Sequence, residues 1–323
     1  MFTKLLDALK ATRRTIVFTE GPDARILEAT DRLLKEDLMD VILIGNEAEV
    51  KAAAEKGNFC ICKATIIDPA TYEGMDEMVA KMVELRKGKM TPEQCKANLL
   101  KGNYFGTMLV KMGVADCLLG GATYSTADTV RPALQLIKTK PGNSIVSSCF
   151  IMVRDKADGT QEKLAMGDCA INIHPPEDNL VEIAQETAKC AETFGIDPKV
   201  AFLSFSTKGS AKDDEVTKVQ NAVAKAKEVM TVPVDGEMQF DAAVAPEVGQ
   251  LKFPGSPVAG QANTFIFPDV TAGNIGYKIA ARLGGFAAYG PILLGLTAPN
   301  NDLSRGCNAD EVYKMAMITA GLA

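Results

Sequence analysis

Thr15-Ile-Val-Phe18, then Glu20-Gly21, then residues 24–36, then Val41-Ile-Leu-Ile44 closed by Gly45-Asn46: this stretch decides how the chain folds. Two short β-branched runs flank one amphipathic stretch of helical length, and glycine ends each run. Strand, helix, strand is the unit of a parallel sheet, because parallel neighbours need a crossover rather than a hairpin.

The alternation continues outward. Residues 47–55 read as a helix, and Ala64-Thr-Ile-Ile-Asp68 as an apolar run broken by Pro69. Residues 75–87 and 92–102 read as helices, Cys117-Leu-Leu119 as a buried strand ending at Gly120-Gly121, and 126–138 as a helix. Near Pro141-Gly142 the pattern changes. An apolar run over 144–153, the turn Lys156-Ala-Asp-Gly159, Leu164-Ala-Met and Cys169-Ala-Ile-Asn-Ile173 suggest an antiparallel hairpin. Helices over 180–194, 213–229 and 273–283 then alternate with strands over 200–205, 232–234 and 264–267. A strand over 292–296 and a helix over 310–323 end the chain. The expectation is two α/β domains with mainly parallel sheets, one of residues 1–142 with 292–323, the other of 143–291. A tight join between them places a ligand cleft at their boundary.

Composition narrows the function. Hydrophobic residues make up 47% and charged residues 24%, so a large core is available and disorder is not expected. A net charge of -6 gives no general attraction to nucleic acid or to an anionic membrane. At the N-terminus Phe2, Leu5, Leu6 and Leu9 recur at helical spacing with Lys4, Asp7 and Lys10 between them, an amphipathic helix rather than an export signal. No apolar run spans a bilayer, and a cytoplasmic location is expected. The eight cysteines contain no Cys-x-x-Cys, and Cys60-Ile-Cys62 is too tight for a zinc knuckle, so all are expected to be buried reduced thiols. His174 is the one histidine; it follows an alternating run stopped by Pro175, where a structural role is expected. No set of metal ligands is evident, and base chemistry falls to a carboxylate.

Five segments offer sites. Asn301-Asp-Leu-Ser304-Arg305-Gly-Cys-Asn308-Ala-Asp310-Glu311 lies in a strand-to-helix loop, where ligands bind in α/β sheets. Arg305 offers a fork of donors suited to phosphate, Gly306 allows close approach, and Ser304 can donate to an oxyanion. Glu311 also fits a capping box with Asn308, so capping and chemistry both stand as readings. Gly120-Gly121-Ala-Thr-Tyr-Ser125-Thr126-Ala-Asp-Thr129-Val-Arg131 has the same form, and its hydroxyls and amides suit a phosphate or equally a capped turn. Ser204–Ser210 repeats the pattern, Asn263, Asp269 and Asn274 stand at strand ends, and Glu84-Leu-Arg86-Lys87 gives a helix a basic end.

Together these segments resemble the phosphate acetyltransferase (phosphotransacetylase) family, over essentially the whole chain. The resemblance is carried by Glu20-Gly-Pro-Asp-Ala-Arg25, Gly120-Gly-Ala, Thr126-Ala-Asp-Thr-Val-Arg131-Pro, Leu203–Ser210, Ala262–Asp269, Gly273-Asn-Ile-Gly-Tyr-Lys278 and, most specifically, Asn301-Asp-Leu-Ser-Arg-Gly-Cys307. It implies that acetyl-CoA and phosphate are exchanged for acetyl phosphate and CoA. It further implies an isocitrate/isopropylmalate dehydrogenase-like architecture with an active-site cleft between the domains, a homodimer, and no permanently bound cofactor or metal, CoA and acetyl-CoA being substrates. In the implied mechanism the CoA thiolate attacks the acetyl carbon directly in a ternary complex, Ser304 bonds the carbonyl oxygen, and Arg305 holds the phosphoryl group. The base falls by spacing on Glu311, where the family often has Asp, with Asp310 adjacent. Arg86 and Arg131 match arginines tied to substrate or CoA, with Ser125, Thr126 and Thr129 beside them, and Arg282 matches one near the CoA phosphates. Rival readings are a phosphate butyryltransferase, a metal- and NAD(P)-dependent decarboxylating dehydrogenase, and a non-catalytic regulatory domain.

Overall fold

A computed structural model describes residues 2–323, with the side chains of Phe2, Thr3, Lys4 and Ala8 outside the described residues. The chain forms two compact units: Phe2–Pro141 with Leu296–Ala323, and Gly142–Gly295. The first unit runs α1 (Phe2–Ala11), β1 (Thr15–Phe18), α2 (Ala24–Lys35), β2 (Asp40–Ile44), α3 (Glu47–Gly57), β3 (Thr65–Ile67), α4 (Met75–Arg86), α5 (Pro92–Leu99), α6 (Gly102–Lys111), β4 (Cys117–Gly120) and α7 (Thr126–Pro132), which continues as one π-helical turn, Ala133–Ile137. The second unit runs β5 (Ser147–Asp155), β6 (Gln161–Gly167), α8 (Glu177–Thr193), β7 (Val200–Leu203), α9 (Asp214–Val229), β8 (Val234–Met238), α10 (Phe240–Val244), α11 (Pro246–Lys252), β9 (Thr264–Ile266), α12 (Val270–Arg282) and β10 (Ala287–Leu294). The chain re-enters the first unit with β11 (Asn300–Asp302) and α13 (Ala309–Gly321). The amphipathic reading of α1 holds at its described positions, with Leu5 and Leu9 buried and Asp7 and Lys10 exposed.

The first sheet has the order β11-β4-β1-β2-β3 and is parallel throughout. Ile16, Val17 and Phe18 of β1 are wholly buried, as expected of a central strand covered on both faces. From β1 the chain winds one way through β2 and β3 and the other way through β4 and β11. The order reverses between β1 and β4, and the carboxyl ends of those two strands therefore flank a crevice. The second unit's sheet has the order β10-β5-β6-β9-β7-β8; β10, β5 and β6 pair antiparallel, the rest parallel.

Several elements differ from their sequence reading. The helix expected over 92–102 is α5 alone, and α6 follows as a separate helix. Gly102 and Gly106 argue against a helix by propensity, yet a Cβ on Gly102 would lie 2.5 Å from the Thr19 carbonyl, and one on Gly106 would press on Leu118 and Val17. Close packing on β1 and β4 overrides propensity there. Pro132 in α7 has no N–H for the Asp128 carbonyl, and Asn103 Nδ2 donates to that carbonyl instead at 2.7 Å. The strand expected over 169–173 is a loop: Asp168 draws in the backbone N–H groups of Ala170, Ile171 and Asn172, a local competitor of the sheet ladder. His174 is exposed on that loop. β10 continues to Leu294 paired with β5, past a register shift between Tyr289 and Ile292, and its compact unit runs to Gly295. Six cysteines are buried, but Cys60 and Cys62 are exposed, against the expectation that all eight are buried. Among the described residues no helix is long and apolar enough to cross a membrane.

Phe105 of α6 is fully buried and packs edge-on against Tyr72, with ring centroids 5.1 Å apart. Phe105→Ala leaves a cavity in that core and is expected to lower the unfolding free energy by about 3–5 kcal/mol, read from urea titration by circular dichroism.

Candidate active site

Three loops leave the carboxyl ends of β1, β4 and β11: residues 19–23, 121–125 and 303–308. Arg25, in the first turn of α2, ties them together. Its guanidinium donates to Asp23 (2.7 Å), to the Ala122 carbonyl (2.9 Å) and to the carbonyls of Arg305 (2.9 Å) and Cys307 (3.2 Å). One planar group with five donors thereby fixes all three loops. Glu20 adds a second tie. Its Oε1 accepts the backbone N–H groups of Gly121 (3.1 Å) and Thr123 (3.0 Å), and its Oε2 accepts the Thr19 hydroxyl (2.8 Å).

Asp302, at the end of β11, is 1% exposed. Thr126 Oγ1 donates to its Oδ2 at 2.7 Å and Thr129 Oγ1 to its Oδ1 at 2.5 Å, so β11 is clipped to the first turns of α7. Gly121 has φ +100°, and a Cβ there would collide with Asp302 Oδ1, so glycine is required at that position. Beyond Asp302 the chain turns outward. Leu303 N–H donates to the Gly120 carbonyl at 2.7 Å, and Ser304, Arg305 and Gly306 are exposed. Cys307 is buried, with its thiol pushed up by that burial.

The two candidate bases open α13 and face different partners. Asp310 Oδ1 accepts Arg32 at 3.2 Å and its Oδ2 accepts Lys314 at 2.7 Å, and the bond to Lys314 with the Arg32 bond holds its carboxyl below the usual range. Arg32 lies over the Tyr313 ring, 3.9 Å from its centroid. Glu311 forms a full capping box: Asn308 Oδ1 accepts Glu311 N–H at 2.9 Å, and Glu311 Oε2 accepts Asn308 N–H at 3.1 Å.

Of the residues read as substrate-binding, Ser125 Oγ donates to Asp128 at 2.7 Å, while the Thr126 and Thr129 hydroxyls are both engaged by Asp302. Arg131 is exposed and reaches Asp128 only at 3.5 Å. Arg86, at the end of α4, has a buried Nε without a hydrogen-bond partner. Burial raises the Tyr104 hydroxyl's pKa, and the positive charges of Arg131 and Arg86 both act against that rise. Arg282 lies at the end of α12 in the second unit, exposed. Sequence reasoning assigned no role to Glu20, Arg25 or Asp302.

Burial is the main cause that raises the carboxyl pKa of both Glu20 and Asp302 above the ordinary value, their hydrogen bonds opposing it. The folded protein therefore holds these protons to higher pH than the unfolded chain. Their stabilising contribution is full below the unfolded value of about 4 and is lost as pH rises through the folded value. Glu20→Gln keeps an acceptor for Gly121 and Thr123 without the titration. Its urea midpoint is expected to gain on the parent chain between about pH 5 and about pH 8; a difference that stays flat or shrinks contradicts the buried proton.

The family model described as phosphate acetyl/butaryl transferase matches residues 1–320. A phosphate acetyltransferase of Bacillus subtilis (strain 168) is 53% identical over 324 residues, covering 100% of this chain and 99% of that protein. Among solved structures, a phosphotransacetylase from Streptococcus pyogenes is 51% identical with a TM-score of 0.94, over 99% of this chain and 97% of that one. The EutD phosphotransacetylase from Staphylococcus aureus is 50% identical with a TM-score of 0.88, over 99% and 98%. The chain belongs to the phosphate acetyl/butaryl transferase family.

Proposed function

We propose that this chain transfers an acetyl group reversibly between CoA and inorganic phosphate, and that the exposed Ser304-Arg305 loop beyond β11 carries the reaction. The observation that supports it most is that loop's placement. Two exposed polar side chains, Arg305 and a Ser304 whose Oγ accepts the Gly306 N–H at 3.3 Å, stand on a backbone fixed by Arg25 and Asp302, in the loop that leads into α13 and its Glu311. Full-length relatives at 51–53% identity named phosphate acetyltransferases support acetyl as the acyl group.

In the proposed reaction CoA and acetyl phosphate are held together. A free thiol of pKa about 8.5 loses its proton to a carboxylate as its sulfur attacks the acetyl carbon. The C–S bond forms, negative charge grows on the carbonyl oxygen, and Ser304 donates to it. The oxyanion then collapses, and phosphate leaves with the electrons of the C–O bond while Arg305 holds its oxygens. Glu311 is the proposed base. Its capping bond uses Oε2, which leaves Oε1 to take the thiol proton. Asp310 suits that role poorly, because two cations already hold it in its ionised form.

Arg131 and Arg86 are proposed to bind phosphate groups of a substrate or of CoA, the unpaired Arg86 Nε supporting this, and Arg282 to bind CoA phosphates. Ser125, Thr126 and Thr129 then act by holding α7 in place through Asp128 and Asp302. A cytoplasmic location, where CoA thioesters are formed and used, belongs to the same proposal. So does the homodimer: Ile275 and Ile279 of α12, each 54% exposed, and Leu283 at its C-cap, 85% exposed, are spaced four residues apart as an apolar row that supports self-association.

Phosphate-dependent CoA release from acetyl-CoA, followed by thiol trapping, tests the reading. Arg305→Ala is expected to lower kcat/KM by about 10²–10³-fold with folding intact; full activity refutes the role, and preferential turnover of butyryl-CoA refutes the acyl assignment. Glu311→Gln is expected to lower kcat by about 10²–10⁴-fold, while Asp310→Asn stays within a few fold of the parent. The reverse order would move the base to Asp310.

A further inference from the structure

The loop over residues 58–64 joins α3 to β3 at the edge of the first sheet and carries two exposed thiols, Cys60 and Cys62. Its backbone is fixed on both sides of them. Asn58 ends α3 in the left-handed conformation, φ 56°. Asp31 Oδ1 accepts the Cys60 N–H at 3.1 Å, and the Ile61 carbonyl accepts the Ala64 N–H at 2.9 Å, which makes Cys62 and Lys63 the central residues of a tight turn. The two sulfurs are thereby brought to 3.2 Å. The two thiols share a hydrogen bond and the Cys62 backbone N–H also faces the Cys60 sulfur, while the charge of Lys35, held 2.7 Å from Asp31, only partly offsets that carboxylate's opposing effect. These donors hold the Cys60 thiol below its ordinary pKa, and the shared bond raises that of Cys62. Cys60 is therefore the readier thiolate of the pair. A groove of about 490 Å³ lies beside them, lined in part by Lys51, Ala54, Phe59 and Ile66, open to a small molecule.

We propose that Cys60 and Cys62 form a surface dithiol site that reacts with low-molecular-weight disulfides and closes to a reversible intra-loop disulfide. The Cys60 thiolate attacks one sulfur of R–S–S–R, forming a mixed disulfide and expelling one thiolate RS⁻. Cys62 gives up its proton and attacks the Cys60 sulfur, forming the Cys60–Cys62 bond and expelling the second RS⁻. Two protein thiols are oxidised, one disulfide is reduced to two thiols, and the two protons leave with them. The sulfurs need only close from 3.2 Å to about 2.05 Å. An exposed disulfide of this kind is open to attack by solvent thiols, which makes the closure reversible.

The test is to incubate the full chain with glutathione disulfide, quench with N-ethylmaleimide, and read the tryptic peptide 57–63, which holds both cysteines, by mass spectrometry. Both maleimide labels are expected to be lost together, with the peptide lighter by two hydrogens and carrying no glutathione, and dithiothreitol restores both. In Cys62→Ser the reaction is expected to stop at a stable glutathione adduct on Cys60. A stable adduct in the parent chain, or full labelling of both thiols after the incubation, overturns the proposal. Equal adduct levels in the parent and Cys62→Ser also overturn it.

Discussion

The position of the Ser304-Arg305 loop depends on a buried carboxylate, Asp302, gripped by two threonine hydroxyls of α7. β11 is three residues long and wholly polar, yet all three residues are buried. Such a strand gains nothing from apolar burial, and each side chain carries a desolvation cost unless it is bonded. Each side chain finds a partner on a different helix, with Asn300 Oδ1 alone of their polar atoms buried without one. Asn300 Nδ2 reaches Thr107 of α6 at 3.3 Å, Asn301 Nδ2 reaches Thr319 of α13 at 2.9 Å, and Asp302 takes Thr126 and Thr129 of α7. A slip of one residue would turn every side chain to the other face and strand these groups without partners. Polar matching therefore fixes the register of β11, and that register fixes where Ser304 leaves the sheet.

Charge balance follows from the same place. Glu20 and Asp302 flank the Gly120-Gly121 turn from its two neighbouring strands, and Arg25 reaches the backbone on either side. The two acids take backbone and hydroxyl donors, and Arg25 is spent on carbonyls and on Asp23. Arg305 remains outside this arrangement, exposed, and its charge opposes the rise that burial gives the Asp302 carboxyl. A cation held on a rigid backbone but left uncommitted is what recognition of an oxyanion or a phosphoryl group requires.

Much of the frame was legible in the sequence. β1, α2 and β2 follow from β-branched runs around one amphipathic stretch, and the Asn308–Glu311 capping box was readable as a spacing. The misses share a physical cause: contacts distant in sequence that outweigh local preference. β11 lacks apolar residues because Asn300 and Asp302 are matched by side chains more than 170 positions away. α6 contains two glycines because it lies hard against β1 and β4. Residues 169–173 alternate like a strand, but Asp168 claims their amides. The site was legible as a set of residue types on one loop, while the residues that fix the loop, Glu20, Arg25 and Asp302, carry no local signature of that work.

Asp310 and Glu311 show how one helix start separates two neighbouring carboxylates. Successive helical residues project about 100° apart, so the pair cannot share a face. Asp310 turns toward α2 and its own next turn, where Arg32, steadied over Tyr313, and Lys314 take both oxygens. Glu311 turns back to the N-cap, and its reciprocal bonds with Asn308 hold it beside the loop that begins at Ser304. Capping and base chemistry do not compete here. The bond to Asn308 orders a long side chain whose freedom would otherwise have to be lost on reaching a substrate, and it engages only one of the two oxygens. The capping box is thus the device that holds Glu311 in position for the role proposed for it.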